Sequence, residues 1–180
     1  MQTIDIEKIN RENFRCLVDS LSRPSKITSL QKMYDSYLFA MASVLLYPEV
    51  SYCNATSQDF SNIDIATNTK QALPKEADYI FFDDLASVAL EQIKKGTYID
   101  PDFSATLIYS YDNPMDEVLL ELTGAGIKEK AQALYPVTKE FAYSLSRQNN
   151  NFPLGNEIFF INTNSGELKA LSRTTQIKVL

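Results

Sequence analysis

Over its first hundred residues the chain switches repeatedly between a helical and an extended hydrophobic period, and this alternation restricts the fold more than any other feature. Phe14, Leu17, Val18 and Leu21 recur at i, i+3, i+4 and i+7 behind Asn10, a natural N-cap, with Glu12 in the first turn. Pro24 ends that helix, since it lacks the amide hydrogen to continue it. "SKITSL" reads as a short strand, "SYLFAMASVLLYP" as a helix apolar nearly all round, and "EVSYC" as a short buried strand. Residues 57–72 are polar and weakly periodic, and read as a helix. "ADYIFFDD" is a strand of aromatic and branched residues. Asp84 then caps a helix carrying Leu85, Val88, Ala89 and Ile93, which Gly96 terminates. Helix alternating with strand predicts a layered α/β architecture.

After Pro101 the pattern changes. In "ATLIYSYD" and "DEVLLELTG" the side chains alternate, with Val118, Leu120 and Leu122 on one face and Glu117, Glu121 and Thr123 on the other. "DNPMD" between them reads as a turn, which predicts an antiparallel hairpin. Pro136 opens a helix with Val137, Phe141 and Leu145 on one stripe. "EIFFINT" and "ELKAL" around "NSG" read as a second hairpin, and "TQIKVL" as a final strand. No linker, repeat or low-complexity tract interrupts the chain. The expectation is an α/β fold: a single three-layer α/β/α domain over residues 1–180, built on one mixed sheet.

Several function classes drop out on composition. The longest apolar run, Tyr37 to Tyr47, is broken by Ser43 and closed by Pro48, short of the roughly 20 residues a membrane helix needs. "MQTIDIEKIN" lacks the basic and apolar regions of a secretory signal, so the expected compartment is the cytoplasm. There Cys16 and Cys53 are expected as reduced, packed thiols. A net charge of −6 argues against a nucleic-acid or anionic-membrane partner. The sequence contains no histidine, which removes serine–histidine and cysteine–histidine triads and the commonest zinc ligand.

Three segments carry candidate site chemistry. "LTGAGIKEK" places Gly124 and Gly126 one residue apart at a strand end, but it lacks the spacing of a Walker loop and the third glycine of a dinucleotide motif. It reads as a turn, or alternatively as a backbone-amide anion nest with Lys128 or Lys130 nearby. "NNNFPLGNE" demands a defined bend. The loop either buries Phe152 and Leu154 over the core or, with Phe152, Pro153 and Gly155 as candidates, edges a pocket or partner surface, with Glu157 at the strand entrance. "SRTTQ" offers one fixed cation, Arg173, and two hydroxyls, Thr174 and Thr175, suited to phosphate or phosphonate oxygens. Arg15 and Arg23 lie eight apart on the first helix, as ligand contacts or as solvated charges.

Taken in order, "NFRCLVDSLSRPSKI", "ATLIYSYDNPMDEVLLELTGAGIKE" and "NNFPLGNEIFFINTNSGELKALSRTTQIKV" resemble the PhnH family of bacterial carbon–phosphorus lyase subunits. The resemblance implies a fold like the large domain of pyridoxal-phosphate-dependent transferases, without the cofactor or its Schiff-base lysine. It implies no metal and no other cofactor, companion PhnG, PhnI and PhnJ subunits, and possible homodimers in isolation. It implies a part in the step where a phosphonate displaces adenine from ATP to give a ribose 1-phosphonate 5-triphosphate. The chain departs from the family pattern at Ser25 and Ser172, where Gly and Pro are usual, at Glu157 in place of Asp, and at Gln176 in place of His. No mechanism needing that histidine carries over. Residues 31–100 show no quotable resemblance.

Three functions are compatible with these residues. The first is an accessory subunit without complete catalytic machinery. The second is a self-sufficient phosphate-ester binder or enzyme using Arg173, Thr174 and Thr175 with Glu157. The third is a pure scaffold.

Overall fold

The computed structural model describes residues 5–114 and 116–180. Met1–Ile4, part of the segment read as lacking a signal, and Met115, within the turn expected after "ATLIYSYD", lie outside the described residues.

The protein is a mixed α/β fold with two sheets where one was expected. Helices α1 (Ile6–Ser22), α2 (Tyr37–Leu45), α3 (Ser61–Thr67) and α4 (Lys139–Asn149) accompany ten strands. Strands β1 (Thr28–Ser29), β2 (Ser51–Ala55), β3 (Lys70–Gln71), β4 (Tyr79–Phe82), β5 (Thr106–Tyr111), β8 (Glu157–Asn162) and β9 (Glu167–Leu171) form a mixed seven-stranded sheet in the order β1-β9-β8-β5-β4-β2-β3. Neighbours from β3 to β8 pair in parallel, whereas β9 pairs antiparallel with both β8 and β1. Strands β6 (Val118–Gly124), β7 (Ala131–Tyr135) and β10 (Thr175–Val179) form an antiparallel sheet in the order β10-β6-β7.

The expected hairpin between "ATLIYSYD" and "DEVLLELTG" does not form. β5 is buried through Leu107–Ser110 and lies between two parallel neighbours, while β6 alternates buried and more open positions. A strand covered on both faces belongs inside a parallel sheet, and an alternating one in a sheet with an open face. The hairpin expected around "NSG" does form, as β8 and β9. "TQIKVL" is a strand as expected, although it joins β6 in the smaller sheet.

The central strands feed two cores through their period of two. Tyr52, Phe81, Ile108 and Phe159 pack with Leu17, Leu38, Met41 and Ile63 from α1, α2 and α3. Cys53, Phe82, Leu107 and Phe160 face the other way, onto Phe141 and Leu145 of α4 and Leu120, Leu122 and Ile177 of the smaller sheet. Cys16 and Cys53 are both free thiols.

Other local expectations are revised. α1 starts earlier than Asn10, at Asp5, whose carboxylate accepts from the Lys8 amide at 3.0 Å. Its apolar stripe is only partly internal, because Leu17 is buried but Phe14 and Val18 are 56% and 47% exposed. Asp84 caps as expected, accepting from the Ala86 amide at 2.9 Å, but two single-turn 3-10 helices follow, Leu85–Ser87 and Leu90–Gln92. Burial of Val88, Leu90 and Ile93 in the second core holds this segment in an irregular path and overrides its helical period. Gly96 accordingly ends no helix. α4 is capped by Thr138 and so begins past Pro136, which follows β7, a strand the sequence reading lacks. In the region read as helix over 57–72, α3 is shorter and β3 follows it.

Candidate functional site

At the end of the larger sheet where β8 begins and β9 finishes, an open dish of about 700 Å³ is lined by Leu21, Ser22, Gly126, Phe152, Glu157 and Arg173, among others. The fold thus brings together the three segments singled out in the sequence. The C-terminal turn of α1 forms one wall, the β6–β7 turn another, and the loop leading into β8 a third. Gly124 lies beside Thr174 just outside the lining, and Thr174 and Pro153 lie within it. Arg15 is exposed on α1 and does not line the dish. Arg23 pairs with Asp19 on the same helix.

The glycines act through close approach of backbone to backbone. Gly126 has φ +80, and a Cβ there would lie 2.0 Å from the Ser22 carbonyl oxygen. Gly124 has φ +116, and its Cβ would lie 2.5 Å from the Thr174 carbonyl oxygen. Only glycine lets these segments meet in a positive-φ conformation. This satisfies the turn reading, and the Ile127 amide closes the turn on the Gly124 carbonyl at 3.1 Å. Gly155 allows a third approach, to Asn149 and to the Cβ of Arg173.

Arg173 is spent inside the chain. Its Nε lies 3.5 Å from Glu157 Oε1, and its Nη1 donates to the Pro101 carbonyl and, at 3.3 Å, to Ser104 Oγ. The paired side chains are 19% and 27% exposed. The guanidinium therefore ties the loop before β5 to the entrance of β8. The threonine hydroxyls are likewise engaged within the chain, since the Ser172 hydroxyl shares hydrogen bonds with Thr174 Oγ1 at 2.6 Å and Thr175 Oγ1 at 3.2 Å; Thr175 is buried, and Thr174 lines the dish. Ser172, one of the departures from the family pattern, thus supplies a hydroxyl that fixes both. Phe152 is 66% exposed at the rim, so it edges the dish and does not cover the core; the peptide bond from it to Pro153 is cis, and Leu154 is half-buried.

The principal organiser of this region is Asn156, which the sequence reading passed over. Fully buried, it donates through Nδ2 to the carbonyls of Lys94 and Ala105, each at 2.7 Å, and accepts from Gln148. Its backbone exchanges bonds with the Asn149 side chain at 2.9 and 3.0 Å. The signal was the run of asparagines before Glu157, each able to bond backbone through its side chain. Among the described residues no set of three His, Cys, Asp or Glu side chains gathers as a metal site. No described helix is long and apolar enough to cross a membrane.

Fold and site together define a mixed α/β protein in which the charged pair of the dish is neutralised from within. The family model for PhnH, described as bacterial phosphonate metabolism protein, matches residues 5–178, and the chain belongs to that family. It is a protein of bacterial phosphonate metabolism. Comparison with curated protein sequences gives no match.

Proposed function

We propose that this chain, as a single domain over residues 1–180, is a non-autonomous subunit of the cytoplasmic carbon–phosphorus lyase core complex. It assembles with PhnG-, PhnI- and PhnJ-like subunits, and takes part beside PhnG-, PhnI- and PhnL-like subunits in the step that forms ribose 1-phosphonate 5-triphosphate. In that displacement a phosphonate oxygen bonds to C1′ of ATP while the bond from C1′ to adenine breaks, and adenine leaves with the electron pair and takes up a proton. Family membership supports the pathway, and one observation supports dependence on partners. The strongest candidate cation, Arg173, already has Glu157, Pro101 and Ser104 as internal partners. On this reading the fold is that of the large domain of pyridoxal-phosphate-dependent transferases without the cofactor. The isolated chain can form a homodimer, and the catalytic groups come from other subunits.

Adenine release from ATP and methylphosphonate tests this reading. The purified chain alone is expected to release none, the assembled subunits to release it, and the assembly lacking this chain to lose the activity. Release by the chain alone would show a self-sufficient enzyme instead, and full activity without it would remove the chain from this step.

A further inference from the structure

A second cleft, of about 480 Å³, runs between the 3-10 turns and the start of α4. Its floor is apolar, formed by Val88, Leu90, Val137 and Phe141. Its rim is acidic: Asp84, Glu91, Asp116 and Glu140 are all exposed, and no Lys or Arg lines it. None of the four carboxylates takes part in an ion pair among the described residues. Local chemistry accounts for two of them singly, since Asp84 caps the first 3-10 turn and Glu140 occupies the first turn of α4, where the helix dipole favours an anion. It does not account for four like charges meeting over one apolar cleft without a counter-charge. The charge of Asp84 reaches inward as well: burial pushes the Tyr109 phenol up, and Asp84, together with Asp83 outside the cleft, pushes it further.

We propose that this cleft docks a cationic amphipathic segment of a different chain, its apolar side chains on the Val88–Phe141 floor and its Lys or Arg side chains on the four carboxylates. Opposite charge on the rim steers and orients such a segment, while the segment's own apolar side chains leave water for the cleft. The proposal rests on the reading of this chain as a subunit of a larger assembly. A second copy does not fit as the occupant. The outer face of α1 has suitable chemistry, with Arg11, Phe14, Arg15 and Val18 exposed, but α1 packs on the opposite face of the seven-stranded sheet from the cleft. Joining those two surfaces is a head-to-tail contact, which builds a ring or an open chain, not a closed dimer.

Co-expression of the full chain with PhnG-, PhnI- and PhnJ-like subunits, followed by purification on this chain at low and high salt, tests the cleft. Wild type is expected to retain the subunits at low salt and to release them progressively as salt rises. Glu91→Lys/Glu140→Lys is expected to keep the wild-type circular dichroism spectrum and to lower retention by more than about tenfold. Glu49→Lys/Glu129→Lys, the same charge change away from the cleft, is expected to behave as wild type. Should the first variant fail to fold, Glu91→Gln/Glu140→Gln removes charge without adding any, and is expected to weaken retention and flatten its salt dependence. A folded Glu91→Lys/Glu140→Lys variant that keeps its subunits, or a Gln variant with an unchanged salt profile, overturns the docking site and leaves the subunit reading standing. A wild-type chain that retains no subunit at any salt overturns both.

Discussion

Arg173 Nε lies 3.5 Å from Glu157 Oε1 across the entrance to β8, and the same guanidinium reaches back to the Pro101 carbonyl and Ser104 in the loop before β5. A side chain that looks in sequence like a ligand contact is a clamp between two loops. Arg173→Ala is expected to lower stability by about 1.5–3 kcal/mol, the range for hydrogen bonds made by a charged group, and to increase proteolysis within residues 96–104. Glu157→Gln keeps an acceptor for Nε and is expected to cost under about 1 kcal/mol. Urea unfolding and limited proteolysis of the two variants check the difference; equal effects would place the clamp on the ion pair instead of on the loop carbonyl.

Gly126→Ala sets a new Cβ against the Ser22 carbonyl oxygen in a backbone conformation with φ +80. The turn must move away from α1, and the expected loss is well above about 1 kcal/mol, the usual scale for a glycine replaced where its conformation is required. Ala125→Gly, one residue earlier, only adds freedom to the unfolded chain and is expected to cost about 1 kcal/mol or less. The urea midpoints of these two variants separate close backbone approach from general loosening of the turn.

Much of this arrangement is legible in the sequence, and what is not has a physical cause. The β8–β9 hairpin is readable because its partners are adjacent and "NSG" supplies the turn. Gly124, Phe152 and Arg173 can be marked as unusual by type, but their convergence depends on β10 crossing to pair with β6, a contact no local period encodes. The hairpin expected at β5 did leave a signal, since the adjacent apolar residues Leu107, Ile108 and Tyr109 suit a strand covered on both faces, unlike the alternation of "VLLELTG". The helix expected after Asp84 was lost to burial of Val88, Leu90 and Ile93, which rewards an irregular path over a regular one. The acidic cleft was invisible because its carboxylates come from three separate segments of the chain.

Asn156→Ala removes one side chain that serves three partners. The Ala105 carbonyl loses its Nδ2 donor and the Gln148 amide its acceptor, both buried, while the part-buried Lys94 carbonyl keeps the Ala105 amide. With each orphaned buried group costing about 1–3 kcal/mol, the expected loss is about 2 kcal/mol or more. Asn156→Asp keeps the acceptor but buries a carboxylate facing two carbonyls, and is expected to be no better than Ala at neutral pH. Thermal unfolding checks both; a loss under about 1 kcal/mol for Asn156→Ala would mean that water replaces the amide at these carbonyls.

The Asp78 carboxylate joins the beginnings of three strands: it accepts from the Ser51 amide at 2.8 Å and the Ser51 hydroxyl at 2.6 Å, it pairs with Lys94, and its own carbonyl accepts from the Thr106 amide at 2.8 Å. Partial burial by itself would raise its pKa, but the bonds from Lys94 and Ser51 outweigh that and hold it below the ordinary carboxylate value. A lowered folded-state pKa means that the unfolded chain takes up the proton first as pH falls. The stabilisation is therefore complete above the unfolded value of about 4, and drains away as pH drops through the lower folded value. Asp78→Asn keeps an acceptor and loses the charge, so the gap between the two proteins' urea midpoints is expected to be widest near neutral pH and to shrink below about pH 4. Asp59 and Glu121, also held low by hydrogen bonds, lose stability in the same range in both proteins and cancel from the difference. A gap that stays constant down to about pH 2.5 would show that Asp78 contributes through geometry alone and not through its charge.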